Sequence, residues 1–297
     1  MVLSVPADSS PRPAATVLVL RSGPAGPEVF MVRRQEGAAF GGADVFPGGR
    51  VDASDAAADR GWCDGLEHAA RQLAEIPLDD ALAHHVAAAR ELFEEAGVLL
   101  ARTRSGGFVS LAGAADHSRF TQYRRDVHSS ATTFRDIIER EGLSLALDAL
   151  VLYAYWVTPP VDARRFATRF FVTRLPPGQT PAHDEVETTD GRWISAPAAL
   201  DAGARGDIVL PPPTWTTLRE LERFGSVDQA IEWARRRTVR RREPTLWQRD
   251  GERMLLMPGD PLHPDAGAEP GETGEGIETR FVWSAGRWRP SREGIER

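Results

Sequence analysis

Arg90-Glu91-Leu92-Phe93-Glu94-Glu95-Ala96-Gly97-Val98 places three carboxylates and one guanidinium within two helical turns, immediately before a glycine stop. At about 100° per residue, Glu91, Glu94 and Glu95 share an arc of roughly a third of the helix circumference. Leu82, Val86, Ala89, Phe93 and Ala96 recur on the opposite side as a core-facing stripe. The spacing therefore predicts a helix that packs by one face and carries a concentrated negative patch on the other. Clustered carboxylates repel one another unless a cation sits among them. Hard oxygen ligands of this kind suit Mg2+ or Mn2+.

The same nine residues resemble the second half of the Nudix box, in which R-E-U-x-E-E-x-G-U (U aliphatic) closes the motif. The first half is matched upstream by Phe46-Pro47-Gly48-Gly49-Arg50-Val51-Asp52. Gly49 and Arg90 are 41 positions apart where the box has 14, so about 27 residues are inserted. A box split in this way is similar to a branch of the Nudix superfamily that includes coenzyme A diphosphatases. Asp55 stands six residues after Gly49, where the family carries a supporting Glu. The extra motif that the coenzyme A branch carries before the box is matched only partially, in residues 34–46.

The resemblance implies an α/β fold, the Nudix α/β/α sandwich with a mixed sheet, here with a helical insertion and a C-terminal extension. It also implies roles. Glu91 and Glu95 would be the principal metal ligands, Glu94 a second-site or water-mediated one, and the carbonyl of Gly48 would complete the set. Arg90 would orient Glu94, with Gly49 and Gly97 supporting the backbone. The family draws one more carboxylate, as base or ligand, from a loop before a Trp-containing strand. Glu185 and Glu187, ahead of Trp193, are both candidates, so the catalytic set reads Glu94, Glu95, Glu185 and Glu187. Arg33 and Arg34, ending a strand near the presumed site, are candidate phosphate ligands. Phe40 could line a base or pantetheine channel, although a flexible turn is the simpler account of Phe40-Gly41-Gly42.

Composition narrows the function class. Hydrophobic and charged fractions of 41% and 27% are those of an ordinary globular protein. A net charge of −7 argues against a general nucleic-acid binder, whose affinity comes from neutralising phosphates. All 36 basic residues counted as Lys or Arg are Arg, so lysine nucleophiles are excluded and anion recognition falls to Arg, His or backbone amides. Cys63 stands alone, which excludes an intramolecular disulfide. The apolar run near residues 14–20 is too short for a signal peptide or a membrane span, and a cytoplasmic chain is the expectation. A homodimer is the default assembly for soluble oligomers.

Along the chain, residues 1–13 read as a disordered N-terminus, 14–205 as the Nudix domain and 206–297 as a C-terminal helical extension with a closing hairpin. Apolar runs at 15–21 and 28–34 predict a strand–loop–strand unit, and 44–46 a short strand entering the Pro47-Gly48-Gly49 turn. The insertion, about 56–80, holds a helix over 66–74. Asp79 or Asp80 then caps the acidic helix, which runs to Ala96. Residues 113–148 read as helical, 150–157 and 169–175 as strands, and Arg192-Trp193-Ile194 as the short strand after the last catalytic loop. Helices follow at 218–224 and 227–236, a loop at 259–276, and a hairpin from 279–283 and 286–288. Pro211-Pro212-Pro213 predicts a rigid helix entry. The run Arg235–Arg242 reads as a solvated helix end. Two functions remain open on these grounds: a diphosphate hydrolase acting on a nucleoside diphosphate derivative such as coenzyme A or acyl-coenzyme A, and a non-catalytic Nudix-fold sensor of such a metabolite.

Overall fold

A computed structural model describes residues 10–36, 41–160, 162, 164–184, 186–249, 251–264 and 278–291. Its centre is a mixed sheet built on two long strands, β1 (Arg12–Gly23) and β2 (Gly26–Arg34). These form an antiparallel hairpin closed by Gly23 and Gly26, the latter at φ 126. Short strands β3 (Asp44–Val45) and β4 (Gly48–Arg50) pair with β2 and β1 respectively. β1 starts at Arg12, within the stretch expected to be loose, because Arg12 and Pro13 pair with a later strand. Residues 1–9 lie outside the described residues.

The insertion contains β5 (Cys63–Asp64) and α1 (Leu66–Gln72), and leads into α2 (Leu78–Ala96). Asp79 and Asp80 sit in the first turn of α2, whereas its N-cap position is Pro77, which supplies no side-chain cap. Gly97, at φ 66, ends the helix and donates its N–H to the carbonyl of Phe93 at 2.9 Å. After β6 (Ala101–Arg102), the segment expected to be helical throughout 113–148 resolves into α3 (Ala114–His128), α4 (Phe134–Arg140) and a strand, β7 (Ser144–Ala146). Thr133 and Asp136 form the capping box that starts α4. Leu143, Leu145 and Leu147 alternate at period two, and β7 pairs with both β5 and β6, so strand pairing overrides helical propensity there.

β8 (Val151–Val157), β9 (Phe166–Arg174) and β10 (Thr188–Ser195) complete the main sheet together with β11 (Arg241–Arg242). The order is β10-β2-β1-β9-β8-β11; β1–β9 and β8–β11 are parallel and the other pairs along this path antiparallel. Both faces of β1 and β2 are covered. Val17, Val19, Phe30 and Val32 pack with α2, while Leu18, Leu20, Val29 and Met31 pack with α5 (Ala196–Arg205), α6 (Pro212–Leu221) and α7 (Val227–Arg236). Strands buried on both sides read as continuous apolar runs, which is why these two are conspicuous in the sequence. The result is the expected three-layer α/β/α sandwich.

The C-terminal extension differs from the expectation. α6 starts at Pro212, behind Pro211, earlier than predicted, because proline is compatible with a first helical turn. The closing hairpin, β14 (Arg280–Ser284) with β15 (Arg287–Pro290), is half of a four-stranded antiparallel sheet that also holds β12 (Thr245–Arg249) and β13 (Glu252–Leu256). The sequence signal for β12–β13 was Asp250-Gly251, a strong hairpin dipeptide, between two runs with β-forming residues. The Arg235–Arg242 run is not uniformly solvated. The side chains of Arg237 and Arg242 are 3% and 8% exposed and bind the fully buried Glu220 at 3.4 and 2.6 Å.

His85 on α2 makes the fold sensitive to acid. It is fully buried, its Nδ1 bonds the Ala81 carbonyl at 2.8 Å, and burial pushes its pKa down to about 3. The unfolded chain protonates this ring near pH 6.5 and the folded one does not, so its contribution to stability is full above that value and declines as pH falls toward 3. Denaturant midpoints measured between pH 7 and 5 should fall by about 1–2 kcal/mol of stability through this residue. His85→Leu should flatten that part of the profile.

Candidate active site

The acidic residues of α2 face inward, toward β4 and a turn of 3-10 helix at Ala53–Ala56. Glu95 is 2% exposed, and the side chains of Glu91 and Glu94 are 12% and 13% exposed. The acidic face of the helix is thus the wall of a cleft. Glu95 Oε2 accepts the backbone N–H of Gly48 at 2.8 Å, while Arg34 reaches Glu95 Oε1 and the Gly48 carbonyl at 3.5 and 3.4 Å.

The two glycines of β4 have separate reasons. A Cβ on Gly48 would fall 2.2 Å from Thr16 Oγ1 and 2.4 Å from the Ala15 carbonyl, so β4 could not close on β1. A Cβ on Gly49 would fall 2.4 Å from Glu91 Oε1, so its absence is what admits that carboxylate.

Arg90 organises the acids. Its Nε and Nη2 grip both oxygens of Asp55 at 2.9 Å, and Nη2 also donates to the Arg50 carbonyl at 2.9 Å. Nη1 donates to Glu91 Oε1 and Glu94 Oε1, each at 2.9 Å. The Arg90–Glu94 contact spans i,i+4, one helical turn. Asp55, buried at 1% exposure, reaches the fork because the tight 3-10 turn brings its shorter side chain close. The departure from the family's Glu is therefore compensated by the backbone. Only a guanidinium has enough fixed donors for this arrangement.

Electrostatically the cluster is under-neutralised. Burial pushes the Glu91 carboxyl up to about 7 and that of Glu95 to about 8, with Arg90 and Arg34 respectively opposing the shift. Burial also raises Glu94, against the pull of Arg90. The negative charge of Glu187 adds to the shifts of both Glu91 and Glu95, which places it near the cluster. Glu187 lies in the loop before β10 and lines the same cleft, of about 1330 Å³. Glu185 and Phe40, the other candidates on these two loops, lie outside the described residues.

Arg34 and Arg33 part company because successive strand residues point to opposite faces. Arg34 lines the cleft, whereas Arg33 does not; its charge acts on Asp44. Two residues that sequence reasoning missed shape the site. One oxygen of Asp184 accepts the N–H groups of Val186, Glu187 and Thr188 at 3.0, 3.1 and 2.9 Å, fixing the loop that carries Glu187. Arg124 on α3 donates to the carbonyls of Glu94 at 2.6 Å and His183 at 3.3 Å, joining the end of α2 to that loop. Asp184, whose side chain can cap the amides two to four residues on, was a readable turn signal; nothing local marks Arg124.

The family profile described as the NUDT19 Nudix domain matches residues 66–223, more than half of the chain. The chain belongs to the NUDT19 Nudix family. Membership makes it a Nudix pyrophosphohydrolase, an enzyme that breaks a diphosphate bond. Among its relatives is the acyl-coenzyme A diphosphatase NUDT19 of Gallus gallus, 29% identical over 296 positions that cover 85% of this chain and 76% of the relative. The acyl-coenzyme A diphosphatase NUDT19 of Homo sapiens is 28% identical, covering 75% of this chain and 68% of that one. A solved NUDIX hydrolase from Alicyclobacillus acidocaldarius superposes with a TM-score of 0.62 at 27% identity, covering 76% of this chain and 97% of that structure. No helix among the described residues is long and apolar enough to cross a membrane.

Proposed function

We propose that this NUDT19-family chain hydrolyses the diphosphate of coenzyme A or an acyl-coenzyme A, giving adenosine 3′,5′-bisphosphate and the corresponding 4′-phosphopantetheine. The observation that carries this reading is the desolvated Glu91, Glu94 and Glu95 set, stacked on the Gly48-Gly49 backbone in a cleft large enough for such a molecule.

The donor chemistry fits a divalent cation, Mg2+ or Mn2+. Three carboxyls, Glu95 buried and Glu91 and Glu94 largely so, are raised by desolvation and lack the positive charge that would make their ionised forms favourable. Among the described residues no three acidic or imidazole side chains already converge at ligating distances. Glu91 and Glu94 lean on Arg90, and Glu95 on Gly48, so binding requires them to turn between these partners and the ion. Glu91, Glu94, Glu95 and the Gly48 carbonyl would hold the ion, which when bound neutralises the diphosphate and acidifies water.

The rest falls to the chain. Arg34, at the cleft wall beside Glu95, binds a phosphate oxygen. Glu187, held by the Asp184 turn, accepts the proton of the attacking water. Arg90 keeps Glu91 and Glu94 from moving apart, which preserves a preorganised site.

A panel of diphosphates, incubated with Mg2+ or Mn2+ and analysed by mass, tests the reading. Coenzyme A and acyl-coenzyme A should give the two phosphorylated products; tight binding without turnover would replace the enzyme with a sensor. A second expected result concerns linkage. Ionising Glu91 and Glu95 destabilises the metal-free fold as pH rises from about 4.5 through 7–8, because their folded values lie above the ordinary one. Added Mg2+ or Mn2+ should remove that penalty, so the rise in Tm should be larger at pH 8 than at pH 6.

A further inference from the structure

The cleft that holds the carboxylates continues beyond the Nudix core. Its far wall is supplied by the C-terminal sheet, through Leu246, Arg253, Leu255, Trp283, Arg287 and Trp288, all outside the residues matched by the family profile. At about 1330 Å³ it exceeds the roughly 300–1,000 Å³ typical of small-molecule pockets, so a long ligand can touch both ends.

The far wall has the chemistry of an anionic, aromatic ligand. Trp283 is 40% exposed, unusual for so large an apolar side chain. Its ring is met edge-on by Trp288, with centroids 5.2 Å apart, and the guanidinium of Arg253 stands 5.6 Å from its centroid. Arg287 follows the strand alternation to the other face of this hairpin, where its guanidinium lies over Gly206 at the end of α5. Elsewhere in this chain buried arginines are clasped by acids, as Arg90 is by Asp55 and Arg242 by Glu220. Among the described residues no carboxylate forms an ion pair with Arg253; Asp162 feels its charge only at a distance. An unclaimed guanidinium beside an open indole suits a phosphorylated aromatic base: the ring stacks and the phosphate takes charge-assisted bonds.

We infer that the C-terminal sheet is the nucleotide subsite, with the base stacked on Trp283 and the ribose-borne phosphate held by Arg253. This rests on the coenzyme A reading, because the 3′-phosphate is what distinguishes the nucleotide half of that molecule from ordinary ADP. The subsite makes the sheet a specificity element rather than a passive extension.

The test compares coenzyme A with 3′-dephospho-coenzyme A for the wild type, Arg253→Gln and Trp283→Leu, with Tm recorded for each. The wild type should favour coenzyme A by at least ~10-fold in KM, since charge-assisted hydrogen bonds are among the strongest. Arg253 is exposed, so Arg253→Gln should keep the wild-type Tm and lose that preference by raising KM for coenzyme A alone. Trp283→Leu should raise KM for both substrates. Retention of the wild-type preference in Arg253→Gln, or an equal loss for both substrates, overturns the inference. A binding arm separates this from the functional reading: adenosine 3′,5′-bisphosphate should quench the wild-type tryptophan fluorescence, and Arg253→Gln should lose the effect. Quenching without turnover of any diphosphate would sink the hydrolase reading while supporting the subsite, whereas no quenching, or quenching unchanged in Arg253→Gln, would sink the subsite.

Discussion

Glu95→Gln should lower kcat on the cleaved diphosphate by at least ~100-fold, the loss expected when a group that stabilises transition-state charge is neutralised. The stability of the same variant should move the other way. Glu95 is buried at 2% exposure and desolvation lifts its carboxyl to about 8, so its charge is a burden on the metal-free fold. The amide has nearly the same shape and keeps an oxygen to accept the Gly48 N–H at the observed 2.8 Å. The metal-free Tm should therefore hold or rise at pH 8, while the Tm gain on adding Mg2+ or Mn2+ should shrink. Opposite signs for turnover and stability separate a site residue from one that merely maintains the fold. Near-normal kcat in this variant would place the metal site elsewhere.

Arg90→Ala should show the largest loss of stability of any single change in the cleft. It removes five hydrogen bonds and leaves Asp55, Glu91 and Glu94 buried together without their common cation. Stranding a buried charge by deleting its partner costs about 3–5 kcal/mol, and here three partners are stranded. Arg90→Lys should recover only a minor part of this, because an ammonium cannot grip both Asp55 oxygens while also reaching two glutamates. Denaturant unfolding of the three proteins measures the effect. A loss below about 1 kcal/mol in Arg90→Ala would mean that the fork is solvated and dispensable.

Where a signal lay in local periodicity, the sequence was legible. β1, β2 and β8 are apolar runs covered on both faces, and the helix ending at Gly97 carries its acids at fixed angular spacing. What escaped was set by partners distant in the chain. β5, β6 and β7 are two or three residues long and exist because they meet one another, so no window of residues 113–148 could show that Ser144–Ala146 is extended except through the alternating leucines. The same holds in the site. Spacing picked out Glu91, Glu94 and Glu95 but not what covers them, since that cover comes from β4 and the 53–56 turn. Arg33 and Arg34 could have been separated by strand alternation alone. Arg124 could not, because its two acceptors, the Glu94 and His183 carbonyls, are 89 positions apart in the chain and adjacent only when folded.

The parallel register of β1 with β9 has a bearing on biosynthesis. Arg12 through Leu20 align with Phe166 through Arg174, so the centre of the sheet joins segments made some 150 residues apart. During translation β1 can form its hairpin with β2 early, but one of its edges stays bare until β9 leaves the ribosome. At about 5–20 residues per second that interval lasts on the order of ten seconds. An apolar strand with an unpaired edge is prone to self-association over such a time, so yield on expression should depend on chaperone capacity more strongly than the stability of the finished fold would indicate.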